Sequence, residues 1–95
     1  DAFIVLPGGV GSLDELAEVM CSNQLGIINK PIGILNTNGY YDHLLAWMKK
    51  AVEEGFVSDA NFNELIVSDS CADLIERVAS EKRPADDDWT NRLGL

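Results

Sequence analysis

Five apolar residues in a row, Ala2 to Leu6, are closed by Pro7-Gly8-Gly9, the pattern of a strand covered on both faces. From Ser12 the rhythm changes. Leu13, Leu16, Ala17, Val19, Met20 and then Leu25 recur near helical spacing, and Gly26 is a stop. After Pro31, Ile32 to Leu35 reads as a second short buried strand, followed by the polar loop Asn36-Thr37-Asn38-Gly39. Tyr41, Leu44, Leu45, Met48 and Val52 then fall at intervals of three and four, predicting an amphipathic helix from Tyr40 to Glu54 that ends at Gly55. Leu65-Ile66-Val67 is a third apolar run, and Ala72, Leu74, Ile75 and Val78 mark a last helix starting near Ser70.

Strand and helix thus alternate three times. Buried strands in strict alternation with helices predict parallel pairing, hence an α/β fold: a Rossmann-like open parallel sheet with helices on both faces. Such domains normally hold more than three strands, so the expectation is that only part of the usual domain is present. Residues 1–83 form that part, and 84–95, with Asp86-Asp87-Asp88 and no periodicity, form an acidic, mobile tail in which Trp89 docks.

Charge narrows the partners. Seven Lys and Arg against sixteen Asp and Glu leave a formal net charge of −9, a field that repels nucleic acid and anionic membrane. No run of eighteen apolar residues and no signal-peptide pattern occurs, so a cytoplasmic setting is expected. Cys21 and Cys71 fall inside the predicted helices with no zinc-type spacing, and are expected to be reduced, buried and inert.

The chemistry is concentrated at the first strand-to-helix turn. In an open parallel sheet ligands bind beyond the carboxyl ends of the strands. Gly8, Gly9 and Gly11 remove the Cβ atoms that would hold a phosphate away from the backbone, unpaired amides of the first helical turn favour an anion, and Ser12 adds a hydroxyl. A P-loop would need Lys where Gly11 stands, and the dinucleotide fingerprint a small residue where Asp14 stands, so neither matches. Ser12-Leu13-Asp14-Glu15 also satisfies the capping-box pattern, a purely structural use of both side chains. The functional alternative for Glu15 is a carboxylate one turn past a bound phosphate, within reach of the attached ribose, where it can stabilise an oxocarbenium-like transition state or activate water. Glu18 and His43 are expected at the surface, Trp47 and Met48 in the core or an interface. Tyr40 or Tyr41 can line the pocket or pack, and Asn36 and Asn38 are weaker candidates for ligand contact.

Pro7-Gly8-Gly9-Val10-Gly11-Ser12-Leu13-Asp14-Glu15 is similar to the PGGxGTxxE motif of the Lonely-guy family of cytokinin riboside 5′-monophosphate phosphoribohydrolases. Further blocks agree: Gln24 to Ile27, Lys30 to Asn36, Gly39 to Asp42 and Ala51 to Phe56, so that the resemblance covers about residues 1–80. It implies a Rossmann-like fold, homodimers formed through helices, and hydrolysis of a nucleoside 5′-monophosphate to free base and ribose 5-phosphate, with no metal or redox cofactor. By the same resemblance, Gly8, Gly9, Gly11 and Ser12 bind phosphate, Ser12 standing for the usual Thr, and Glu15 is the catalytic carboxylate.

The family's catalytic Arg lies upstream of this first strand, whereas no Arg precedes Arg77 here. The expectation is therefore a C-terminal portion of such an enzyme, inactive alone. A noncatalytic nucleotide-binding module that does not use Glu15, and a truncated structural remnant, remain as alternatives. Relatives are often labelled lysine decarboxylase, a chemistry that needs pyridoxal phosphate on a Lys. None of Lys30, Lys49, Lys50 and Lys82 stands out in a pocket.

Overall fold

A computed structural model describes residues 2–81. The expectations for the acidic tail, Trp89 and Lys82 lie outside these residues. Three strands, β1 (Phe3–Val5), β2 (Ile32–Leu35) and β3 (Leu65–Ser68), form one parallel sheet in the order β1-β2-β3. Phe3 pairs with Ile32 and Ile32 with Leu65, so the carboxyl ends of all three strands open on the same side. Four α-helices accompany them: α1 (Val10–Gln24), α2 (Asp42–Glu53), α3 (Asp59–Asn63) and α4 (Cys71–Ser80). This is a partial Rossmann-like α/β arrangement.

Alternation along the strands divides the sheet into two faces, each with its own core. Val5, Ile32 and Ile34 point to one side, where they pack with Leu16 and Val19 of α1 and with Tyr41 and Met48, flanked by Phe62 of α3. Gly33 and Ile66 point to the other, against Leu74 and Val78 of α4. Helices therefore cover both faces, as the run of buried strands requires.

The helix ends follow local chemistry. Gly26 and Gly55, at φ of 76° and 85°, sit just past the ends of α1 and α2 in the left-handed conformation that terminates helices. Ser58 and Ser70 cap α3 and α4, accepting from the amides of Asn61 and Asp73. Asn23, only 4% exposed, ties the last turn of α1 to the approach of β2: its Nδ2 donates to the Lys30 carbonyl at 2.8 Å, and its Oδ1 accepts from the Lys30 amide at 3.1 Å.

Several expectations need correction. β1 is not covered on both faces: Phe3, Ile4 and Leu6 are exposed, because among the described residues β1 bonds one neighbour only and α1 shields just part of its face. Cys21 and Cys71 are exposed, not buried. Cys21 lies off the line of Leu16, Val19 and Asn23 that α1 buries, and Cys71 opens α4 ahead of its buried Leu74 and Val78. Of Trp47 and Met48, expected in the core or an interface, Met48 lies in the core and Trp47 is exposed. Among the described residues no helix is long and apolar enough to cross a membrane, and no group of three or more His, Cys, Asp or Glu is placed to hold a metal.

Candidate active site

The turn after β1 leads directly into α1. Gly9 is the N-cap residue, no side chain caps it, and the first helical bond runs from the Leu13 amide to the Gly9 carbonyl at 3.2 Å. The amides of Val10, Gly11 and Ser12 precede that bond and carry the positive end of the helix dipole. The first turn holds no acidic side chain, so within an acidic chain this spot keeps its attraction for an anion.

The helix starts two residues earlier than the apolar periodicity suggests, and this settles the capping-box alternative. Ser12 is the third residue of α1, not its cap, so Ser12 and Glu15 do not form the reciprocal bonds of that motif. Gly11 hid the true start, since glycine is a poor helix former.

The three glycines differ in what they make room for. A Cβ on Gly8 would collide with the Ser12 hydroxyl, which lies over this residue. Gly9 and Gly11 have nothing within 4 Å of the place where a Cβ would stand. Their bare backbone faces open space at the mouth of the helix.

A cleft of about 200 Å³ runs between α1 and β1. Ser12, Glu15, Leu16 and Val19, spaced as one helical stripe, form one wall; Phe3 to Leu6 form the other, and Ile32 also lines it. Leu16 and Val19 are buried, whereas Glu15 is exposed. From Ser12 to Glu15 the helix climbs about 4.5 Å. Hydroxyl and carboxylate thus share one cleft, one helical turn apart, while Gly8, Gly9 and Gly11 do not line it.

The other candidates lie elsewhere. His43 is exposed on α2. Asn36 holds the start of α2, accepting from the Tyr41 amide at 2.6 Å and donating to Asp42 Oδ1 at 2.8 Å. Asn38 is an exposed residue of a short 3₁₀ turn, Thr37–Gly39, at φ 53°. Of the two tyrosines, expected to line the pocket or pack, Tyr41 packs in the core and Tyr40 is exposed. Their hydroxyls donate to the carbonyls of Gly8 and Leu6 and so hold the glycine turn from behind. The only sequence signal for this contact is that the pair follows a loop at a strand's carboxyl end.

The described lysines do not fit a Schiff-base site. Lys30 Nζ lies 5.6 Å from the Phe3 ring centroid, Lys50 pairs with Glu54 on the surface of α2, and Lys49 is exposed on the same helix. None of the three lines the cleft beside Glu15.

Sequence comparison agrees with the motifs. The family model described as "Possible lysine decarboxylase" matches residues 1–78. A cytokinin riboside 5′-monophosphate phosphoribohydrolase of Arabidopsis thaliana is 46% identical over 93 residues, 98% of this chain and 43% of the relative. A second from the same plant is 48% identical over 93 residues, covering 98% and 42%. A probable enzyme of that name from Oryza sativa subsp. japonica is 47% identical over 78 residues, covering 82% and 34%. The chain spans roughly two fifths of the length of such relatives. With a family model over most of its length, the chain belongs to the possible-lysine-decarboxylase family, and over that length it is similar, at near-half identity, to these phosphoribohydrolases.

Proposed function

We propose that the protein carrying this chain hydrolyses the N-glycosidic bond of a nucleoside 5′-monophosphate, a cytokinin riboside 5′-monophosphate or AMP, to free base and ribose 5-phosphate. The observation that carries the reading is the shared cleft of Ser12 and Glu15 above an uncapped helix N-terminus. The amides of the first turn and the Ser12 hydroxyl hold the 5′-phosphate, with Gly8, Gly9 and Gly11 letting it approach the backbone. One turn further along, Glu15 faces the ribose.

When the glycosidic bond breaks, its electron pair leaves with the base and C1′ gains oxocarbenium character. The Glu15 carboxylate stabilises that positive charge, or takes a proton from the water that adds to C1′, and the proton that water gives up ends on the departing base. The lysines described above give no support to a decarboxylase built on pyridoxal phosphate.

Replacing Glu15 with Gln in the full-length protein tests the assignment. Base release measured by chromatography is expected to fall by about 10²- to 10⁴-fold, with nucleotide binding retained; undiminished hydrolysis would sink the role given to Glu15. The chain by itself is proposed to be inactive, because its cleft stands open along the exposed edge of β1. The full protein is proposed to be a homodimer assembled through helices. An all-apolar groove between α1 and α2, walled by Leu13, Ala17, Met20, Leu44 and the exposed Trp47, supports this reading.

A further inference from the structure

Two successive tyrosines from the end of the β2 loop reach back to the turn that follows β1. Tyr41 Oη donates to the Leu6 carbonyl at 2.6 Å, and Tyr40 Oη to the Gly8 carbonyl at 2.5 Å. Their rings meet edge to face, with centroids 4.9 Å apart and planes at 81°. The two acceptors bracket Pro7, whose nitrogen has no hydrogen to donate. A turn that its own proline cannot help to hold is therefore held from outside.

The consequence for the glycine turn follows from peptide geometry. The described residues contain no cis peptide bond, and in a planar trans peptide the carbonyl of one residue and the amide of the next point in opposite directions. Fixing the Gly8 carbonyl on Tyr40 sends the Gly9 N–H to the other side. It also engages a carbonyl oxygen, the negative end of a dipole, that would otherwise be free to swing toward an anion at the helix mouth.

The two tyrosines are not equivalent. Tyr41 is 6% exposed and belongs to the core with Ile34 and Met48, so its hydroxyl bond comes with a packed ring. Tyr40 is 55% exposed, yet its hydroxyl spans 32 residues of chain to meet Gly8. We propose that Tyr40 is a positioning residue for phosphate: its bond to the Gly8 carbonyl orients the Gly8–Gly9 peptide and with it the donors of the anion cradle. Tyr41 anchors the end of β1 as part of the core. This inference rests on reading the glycine turn as the site of the 5′-phosphate, and Tyr40 itself touches no substrate.

The test uses the full-length protein with Tyr40→Phe, Tyr41→Phe and Glu15→Gln, measuring KM and kcat for AMP, competitive inhibition by inorganic phosphate and by unphosphorylated adenosine, and thermal melting. Tyr40→Phe removes one exposed hydroxyl and keeps the ring. It is expected to raise both KM and the phosphate inhibition constant by about three- to tenfold, while kcat, adenosine inhibition and melting stay unchanged. Tyr41→Phe is expected to lower the melting temperature. An unchanged phosphate inhibition constant in Tyr40→Phe, or an equal weakening of adenosine, overturns the proposal. Binding of inorganic phosphate is also followed by calorimetry, which needs no turnover, so the two readings fail separately. If the full-length protein releases no base from AMP while Tyr40→Phe weakens phosphate, the hydrolysis reading falls and the positioning role stands; if base is released and Glu15→Gln abolishes it, yet phosphate binding ignores Tyr40, the reverse holds.

Discussion

Gly33 of β2 lies directly beneath Val78 of α4: a Cβ added to Gly33 would stand 2.7 Å from Val78 Cγ2 and 2.9 Å from Leu74 Cδ1. The absent side chain is what lets α4 settle onto the centre of the sheet, because both neighbours are buried and packed against Ile66. Gly33→Ala is therefore expected to destabilise the full-length protein by about 1–3 kcal/mol through overpacking. Urea unfolding measures this as a lower midpoint with an unchanged slope. Adding Val78→Ala opens room for the new methyl, so the double variant should lose less than the sum of the two single losses.

Asn23 offers a second test, this one of a polar contact. Among the described residues it is the one buried residue classed as polar, and both ends of its amide are engaged by the backbone of Lys30. Asn23→Ala removes both bonds and should cost about 1–3 kcal/mol. Asn23→Asp keeps the acceptor for the Lys30 amide but loses the donor, and turns a desolvated carboxylate toward a carbonyl oxygen. It is expected to destabilise at least as much as Asn23→Ala in the same unfolding measurement. Full stability in Asn23→Asp would mean that the donated bond contributes nothing.

The strands and three longer helices were legible because each signal is local. Ile32 to Leu35 and Leu65 to Val67 are apolar without interruption, and α2 and α4 repeat their apolar residues at helical spacing. Helix α3 was not legible: five residues long, it carries one large apolar side chain, Phe62, too few to set a period, and its Ser58 cap resembles any loop serine. At the site, the glycine turn and the Ser12–Glu15 spacing could be read directly, since both depend on contiguous residues. The start of α1 at Val10 could not, because Gly11 weakens the helical pattern. The tyrosine contacts were beyond reach for another reason. They close spans of 32 and 35 residues and exist only once β1 and β2 have paired.

Gly11 separates what the fold needs from what a ligand needs. It lies inside α1, has no positive φ, and a Cβ there would meet nothing within 4 Å. Nothing in the fold therefore asks for glycine at this position, and glycine is a cost to a helix. Gly11→Ala should stabilise the protein by up to about 1 kcal/mol, seen as a higher melting temperature. If the open space beside Gly11 is where a phosphate meets the helix mouth, the same methyl should obstruct it. Binding of inorganic phosphate, followed by calorimetry, is then expected to weaken by more than about tenfold, equivalent to about 1.4 kcal/mol. A variant both more stable and poorer at binding marks Gly11 as a ligand-facing glycine. A more stable variant with undiminished binding would move the anion away from Gly11, toward the Ser12 hydroxyl and the side of the helix that carries Glu15.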